Sequence, residues 1–127
     1  MRIEVLVPSR EREQSLQAVL VSLHALSSGA NEIRYTVLCD DDDTATKAAA
    51  MSLRGLDVHV KSAPRSIVHK RENEVIEASD ADAFMPWADD LFCLTDRWDV
   101  LIQQVLKQTP AFSWQEVQDP KNHTAIV

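Results

Sequence analysis

Two groups of aspartates follow apolar, strand-like runs of this sequence. Residues 40–43 are four consecutive aspartates directly after the run 35–39, and Asp89 with Asp90 comes directly after the run 83–88. Crowded carboxylates raise each other's pKa and destabilise a fold, so a partner must offset their repulsion. Divalent cations and the hydroxyl groups of a sugar or ribose are partners that carboxylate oxygens bind. The aspartates therefore predict a site for a nucleotide-sugar and a metal ion.

The hydrophobic pattern predicts that strands and helices alternate around these aspartates. Strands are predicted at 2–7, 33–39, 56–61 and 83–88, with further extended segments at 111–117 and 124–127. Helices are predicted over 16–26, 44–51 (capped by Asp43 and Thr44), 66–79 and a last stretch that Thr95 caps. This order predicts an α/β fold of three layers, in which helices cover both faces of a mainly parallel sheet. Such sheets bind ligands at the carboxyl ends of their strands, where both groups of aspartates lie.

Several residues carry more local predictions. Pro86 cannot donate a hydrogen bond to a neighbouring strand, so the fourth strand is expected at an edge of the sheet or bent there. Trp98 lies on a helical stripe and is assigned to packing, whereas Trp87 could face a ligand. In the helix 66–79 the core candidates are Ile67, Val75, Ile76 and Ala78.

The composition limits the class of protein. The chain has 127 residues, of which 45% are hydrophobic, and this predicts one domain over 1–127. The net charge of −7 argues against a nucleic-acid partner. No apolar run is long enough to span a membrane, and two isolated cysteines favour a reducing compartment, so a cytoplasmic protein is expected. Only two glycines are present, which excludes a glycine-rich phosphate loop.

Four segments of the chain, in order, resemble the family 2-type glycosyltransferases with the GT-A fold. The segment 7–12 (VPSRER) resembles the turn after their first strand, and 37–43 (VLCDDDD) resembles their second strand with its acidic end. Asn73 resembles the asparagine early in the helix before the metal motif. The segment 84–99 (FMPWADDLFCLTDRWD) resembles the strand, the DXD-type metal motif and the following helix with its tryptophan.

This resemblance implies a Rossmann-like, nucleoside-diphosphate-sugar transferase fold and a donor site. The residues that it places around the donor nucleotide are Pro8, Ser9, Arg10, Asp40, Asp41, Asp43, Arg65 and Asn73. Asp89 and Asp90 would bind Mg²⁺ or Mn²⁺ that bridges the diphosphate. The sequence departs from the family at Ala88, where a DXD triplet would have its first aspartate. For each acidic group the simpler alternative is an exposed loop or turn, with a cap in the case of residues 40–43.

The expected reaction is transfer of a sugar from a nucleoside-diphosphate sugar to an acceptor hydroxyl. The catalytic base is unknown, because Glu116 and Asp119 are the only late carboxylates and nothing supports either one. The acceptor half of the fold is expected to be reduced or missing, which would expose an apolar edge and favour a homo-oligomer. One alternative is a non-catalytic nucleotide-binding or metal-binding module that keeps only the donor half. Another is a response-regulator-like signalling domain, although no late-strand lysine or single central aspartate indicates it.

Overall fold

The structure is a computed structural model, and it describes residues 1–108. Within this range four strands alternate with four helices. They are β1 (Arg2–Pro8), α1 (Glu13–Ala25), β2 (Glu32–Asp40), α2 (Thr44–Met51), β3 (Asp57–Ala63), α3 (Val68–Ala78), β4 (Ala83–Pro86) and α4 (Trp98–Gln108). Neighbouring strands are all parallel, in the spatial order β3-β2-β1-β4. The predicted α/β fold with a parallel sheet is therefore confirmed for this part of the chain, and the strand order is consistent with a Rossmann-like fold.

One face of the sheet carries the apolar core. Val5 of β1 is aligned with Tyr35 of β2 and Met85 of β4, and all three side chains are buried. α1 packs on this face through four buried residues at helical spacing, which are Leu16, Val19, Leu20 and Leu23. Trp98, the first residue of α4, is completely buried in the same cluster, and its Nε1 donates a hydrogen bond to the Leu23 carbonyl oxygen (2.8 Å). The prediction that Trp98 packs in the core is confirmed.

The opposite face of the sheet is more polar, and α3 covers it. Glu4 of β1 is only 3% exposed, and its carboxylate accepts hydrogen bonds from the hydroxyls of Thr36 (2.7 Å) and Ser79. Arg71 is the buried residue of α3, near the beginning of that helix. Between these two anchors a cavity of about 270 Å³ separates α3 from the sheet. α3 is thus fixed by polar contacts near its two ends.

The predicted core of α3 is only partly right. Val75 and Ile76 are half-buried, but Ile67 is 72% exposed and Ala78 is exposed as well. The predictions for Ile67 and Ala78 are therefore wrong. The physical reason is that α3 lies on the polar face and is positioned by a buried arginine, so its apolar residues do not determine its orientation.

The chain from β4 to α4 follows α1 along its whole length. The Asp89 carbonyl oxygen accepts a hydrogen bond from Ser15 Oγ (2.7 Å), the Cys93 amide donates to Ser22 Oγ (3.2 Å), and the Arg97 amide donates to the Leu26 carbonyl oxygen (2.7 Å). Arg97 has a φ of 54°, so the helix begins only after it, at Trp98. The prediction that Thr95 caps the last helix is wrong.

Other predictions on the elements have mixed outcomes. β4 ends at Pro86 and lies at an edge of the sheet in residues 1–108, as predicted. The extended segments predicted at 111–117 and 124–127 lie outside the described residues. No helix between residues 1 and 108 has both the length and the apolar character that crossing a membrane requires.

Candidate functional site

The candidate site lies at the carboxyl ends of the strands, beside the central strand β1. The chain proceeds from β1 to β2 and β3 on one side and then returns to place β4 on the other side of β1. Sheets with this change of direction form a crevice at the carboxyl ends of the two strands where it occurs. Here these strands are β1 and β4, and the loop 9–12 follows β1 between the two groups of aspartates.

The loop 9–12 is held in an unusual backbone conformation by Asp43. Glu11 has a φ of 53°, in the left-handed region that residues other than glycine rarely adopt. Its amide donates a hydrogen bond to Asp43 Oδ2 (3.0 Å), and the same carboxylate accepts from the amide (3.2 Å) and the hydroxyl (2.6 Å) of Thr46. Asp43 therefore caps α2, as predicted, and also fixes the loop.

The environment of Asp43 favours the charged form of its carboxylate. Burial raises its pKa, but the hydrogen bonds from Thr46 and Glu11 and the nearby positive charge of Arg10 lower it, and the net effect is a pKa below the usual value. Its oxygens already have these three donors within the chain. Its predicted contact with the nucleotide stays a prediction.

Asp40, at the end of β2, lies between two arginines. Arg10 of the loop donates to its Oδ2 (3.1 Å), and Arg71 of α3 lies 3.5 Å from its Oδ1. Arg71 is 8% exposed and also donates to the carbonyl oxygens of Cys39 (2.5 Å) and Lys61 (3.1 Å). A buried guanidinium thus joins the ends of β2 and β3, while the half-exposed Arg10 lies at the surface on the other side of Asp40.

Asp89 is fixed by the loop and by α1. It is 7% exposed, and its Oδ2 accepts a hydrogen bond from Ser9 Oγ (2.8 Å). Its Oδ1 accepts from Arg12 Nη1 (3.2 Å), and its carbonyl oxygen accepts from Ser15. The side chain therefore has a defined orientation at the carboxyl end of β4.

Asp90 differs from Asp89 because it is exposed to solvent. Its Oδ2 lies 2.9 Å from Arg12 Nη1, the same nitrogen that contacts Asp89. The side chains of Asp90 and Arg12 are 60% and 55% exposed, respectively. One arginine nitrogen therefore joins the two carboxylates of the acidic pair.

The predicted site residues do not all come together. Ser9, Arg10, Asp40, Asp43 and Asp89 are linked to the loop 9–12 by the contacts described above. Pro8 is the last residue of β1 and therefore lies at the same edge, directly before the loop, and Asp90 is also there.

Three other predicted residues are more separate. Asp41 is exposed, and its carbonyl oxygen accepts a hydrogen bond from Lys47 (2.7 Å). Arg65 and Asn73 are exposed in the loop before α3 and on α3, and their side chains form no hydrogen bond or ion pair with the aspartates in residues 1–108. Their roles in binding stay predictions.

Sequence reasoning missed two ion pairs of the site. Neither Arg12 nor Arg71 was expected to pair with an aspartate, yet each contacts an aspartate of one group. A usable signal existed, because carboxylates that are crowded in a fold need a counter-ion, and Arg12 lies in the same short segment as Ser9 and Arg10. The expectation that Trp87 could face a ligand is wrong, since this side chain is 4% exposed in the core and donates to the Leu91 carbonyl oxygen (2.6 Å).

The donor set can be tested against a divalent cation. In residues 1–108 no group of three or more His, Cys, Asp or Glu side chains is arranged to hold a metal ion. Asp89 and Asp90 supply two carboxylates, and Mg²⁺ is commonly bound through one or two carboxylates together with substrate phosphates and water. The pair therefore fits a cation that is bound jointly with a phosphate ligand, and it does not form a complete metal site from protein ligands.

Comparison with known proteins gives no assignment for this chain. No family model matches the sequence, and no curated protein matches it. The interpretation of the site therefore depends on its geometry and on the chemistry of its residues.

Proposed function

We propose that this protein binds a nucleoside-diphosphate sugar at the carboxyl ends of β1 and β4, and that it transfers the sugar to an acceptor hydroxyl as a GT-A-type glycosyltransferase. The single observation that carries the proposal is the convergence of arginines, serines and carboxylates on one loop at the point where the strand order changes direction. Parallel α/β sheets bind nucleotides at this place. The resemblance of the segments 7–12, 37–43 and 84–99 to the family supports the same site.

Each part of the site has a role in this proposal. Arg10 lies at the surface beside Asp40, where its guanidinium can form paired hydrogen bonds with phosphate oxygens. The exposed Asp41 and the end of β2 are available to ribose hydroxyls or to the base. Asp89 and Asp90 would hold Mg²⁺ or Mn²⁺ together with the diphosphate. The cation would supply Lewis-acid stabilisation of the leaving nucleoside diphosphate.

A second candidate is binding without transfer, by a module that retains only the donor half of the fold. One observation favours it, because the buried carboxylates Asp40, Asp43 and Asp89 already accept hydrogen bonds from donors of the chain itself. A catalytic base needs a carboxylate that is free to accept the acceptor's proton. Within residues 1–108 these three do not meet that requirement.

Calorimetric titration tests donor binding directly. UDP and GDP are titrated, with and without Mn²⁺, into the wild type and the double variant Asp89→Asn/Asp90→Asn. We expect Mn²⁺-dependent binding of one nucleotide to the wild type and at least a tenfold loss of affinity in the variant. The matched control is Asp96→Asn, since Asp96 is exposed near the start of α4, away from the carboxyl ends of the strands.

The outcomes separate the two candidates. If a properly folded wild type binds neither nucleotide in either condition, the donor site is wrong. If a nucleotide binds, incubation of its sugar conjugates with the protein follows, and the release of nucleoside diphosphate is measured. Release or transfer supports the enzyme, and binding alone supports the non-catalytic module.

A further inference from the structure

We propose that Arg12 is an internal counter-ion that closes the acidic pair, Asp89 and Asp90, and that it is displaced when a divalent cation binds together with a diphosphate. This inference rests on the proposed function, because it concerns the same pair of carboxylates. It adds a means by which the affinity of the pair for a cation stays lower until the phosphate ligand binds.

The geometry places the arginine where a shared cation would be held. A single nitrogen, Arg12 Nη1, lies 3.2 Å from Asp89 Oδ1 and 2.9 Å from Asp90 Oδ2. A cation bound by Asp89 Oδ1 and Asp90 Oδ2 would lie between the same two oxygens. The guanidinium and a cation that bridges these two oxygens therefore exclude each other.

The two sides of the contact differ in how firmly they are fixed. Asp89 is buried and is held in place by Ser9 and Ser15. Asp90 and Arg12 are both more than half exposed, and ion pairs of this kind contribute little stability. Release of Arg12 from Asp90 therefore has a small cost, and the hydrogen bonds from Ser9 and Ser15 remain to hold Asp89.

The charges at this edge favour an exchange of partners. Six aspartates, at 40–43 and 89–90, are accompanied by three arginines in contact with them, which are Arg10, Arg12 and Arg71. A diphosphate on its own would meet a surplus of negative charge, and a cation on its own must compete with Arg12. When both bind, the cation takes the carboxylates and the released guanidinium can pair with a phosphate oxygen. Binding of the two ligands is then mutually reinforcing.

Titration of Mn²⁺ alone tests the competition. The unbound Mn²⁺ is followed by electron paramagnetic resonance for the wild type, Arg12→Gln, Arg12→Lys and the control Arg54→Gln. Arg54 is exposed in the loop between α2 and β3, at the opposite end of the strands. Removal of the competing charge should strengthen Mn²⁺ binding about fivefold in Arg12→Gln. Arg12→Lys and Arg54→Gln should stay within about twofold of the wild type, because both leave a positive charge at position 12.

Titration in the presence of saturating UDP or GDP tests the coupling. We expect the nucleotide to raise the Mn²⁺ affinity of the wild type by about tenfold or more, a typical coupling between ligands. The increase should be several times smaller in Arg12→Gln, which has no guanidinium to pass to the phosphate. Thermal unfolding of Arg12→Gln and Arg12→Lys checks that both variants remain folded.

These outcomes distinguish this proposal from the proposed function. Equal Mn²⁺ affinity of the wild type and Arg12→Gln, or no measurable binding to either, overturns the role of Arg12 whatever the nucleotides do. Absence of nucleotide binding to the wild type overturns the proposed function, while the titration with Mn²⁺ alone still decides whether Arg12 competes with a cation.

Discussion

The two groups of aspartates lie on opposite sides of the loop 9–12 and are connected to it in different ways. In the first group, 40–43, two members are buried. Asp40 contacts an arginine on each side, and Asp43 caps α2. In the second group, Asp89 is buried and accepts a hydrogen bond from Ser9, whereas the exposed Asp90 carboxylate forms an ion pair only with the exposed Arg12 among the described residues. The first group therefore mainly builds the carboxyl edge, and the second combines a fixed carboxylate with an accessible one.

This difference shows that the number of carboxylates does not identify a ligand site. Burial and the available donors decide whether an acidic residue supports the fold or is free for a ligand. By this criterion Asp90, with the exposed Asp41 and Asp42, is more accessible to a ligand than the buried members of either group. Substitutions can therefore separate the structural carboxylates from those that are accessible to a ligand.

Arg71→Ala should have the largest effect on stability. The substitution removes a buried guanidinium and leaves the Cys39 and Lys61 carbonyl oxygens without this donor. Breaking a buried ion pair by removal of one partner costs about 3 kcal/mol. Urea denaturation should show this loss, whereas Lys70→Ala, an exposed neighbour on the same helix, should change stability by less than about 0.5 kcal/mol. Equal effects of the two substitutions would contradict the role of Arg71.

Asp43→Ala should have the next largest effect. Loss of a helix cap costs about 1 to 2 kcal/mol, and here the substitution also releases the left-handed backbone at Glu11. Asp42→Ala is the matched control in the same group, because Asp42 is exposed. Urea denaturation of both variants should separate them by at least about 1 kcal/mol. If the two variants are equally stable, Asp43 does not fix the loop.

The acidic pair should divide into a structural and an accessible residue. Asp89→Asn keeps the shape of a buried side chain but weakens its contacts with Ser9 and Arg12, at a cost of about 1 kcal/mol. Asp90→Asn should change stability by less than about 0.5 kcal/mol, because both partners are exposed. Thermal and urea denaturation measure this difference. If Asp90→Asn destabilises the protein as much as Asp89→Asn does, the division into a structural Asp89 and an accessible Asp90 is wrong.

Sequence patterns were sufficient for most of the fold in residues 1–108. The strands and helices were predictable because apolar residues alternate in β3 and recur every three to four positions in α1, and the order of elements determines a parallel sheet. α3 was the exception. Its sequence offers Ile67 as an apolar anchor, yet the helix is positioned by Arg71, and the burial of a charge depends on acceptors in β2 and β3 that are distant in sequence.

The meeting of the candidate site residues at one edge was predictable, but the contacts between them were not. That Ser9, Arg10, Asp40 and Asp89 meet at one edge follows from the positions of strand ends in a parallel sheet. The pairing of Arg12 with Asp89 could not be read from the chain, because 77 positions separate these residues. Such pairing depends on the side of β1 to which β4 returns, and the sequence pattern alone leaves that open.

The smallest expected effect is a change in the pH dependence of stability, and it tests the difference between the buried Asp43 and the exposed Asp42. The net effect of burial, hydrogen bonds and Arg10 is to lower the pKa of Asp43, so its carboxylate stabilises the fold above the unfolded-state pKa of about 4. That contribution is lost as the pH falls through the lower, folded-state pKa. Asp43→Asn retains a residue suited to capping but cannot titrate. Between pH 5 and about 3, its stability should therefore decrease less than that of the wild type, whereas Asp42→Asn should follow the wild type. Identical pH profiles for Asp43→Asn and the wild type would show that the charge of Asp43 contributes nothing, and that its role in the loop is met by hydrogen bonding alone.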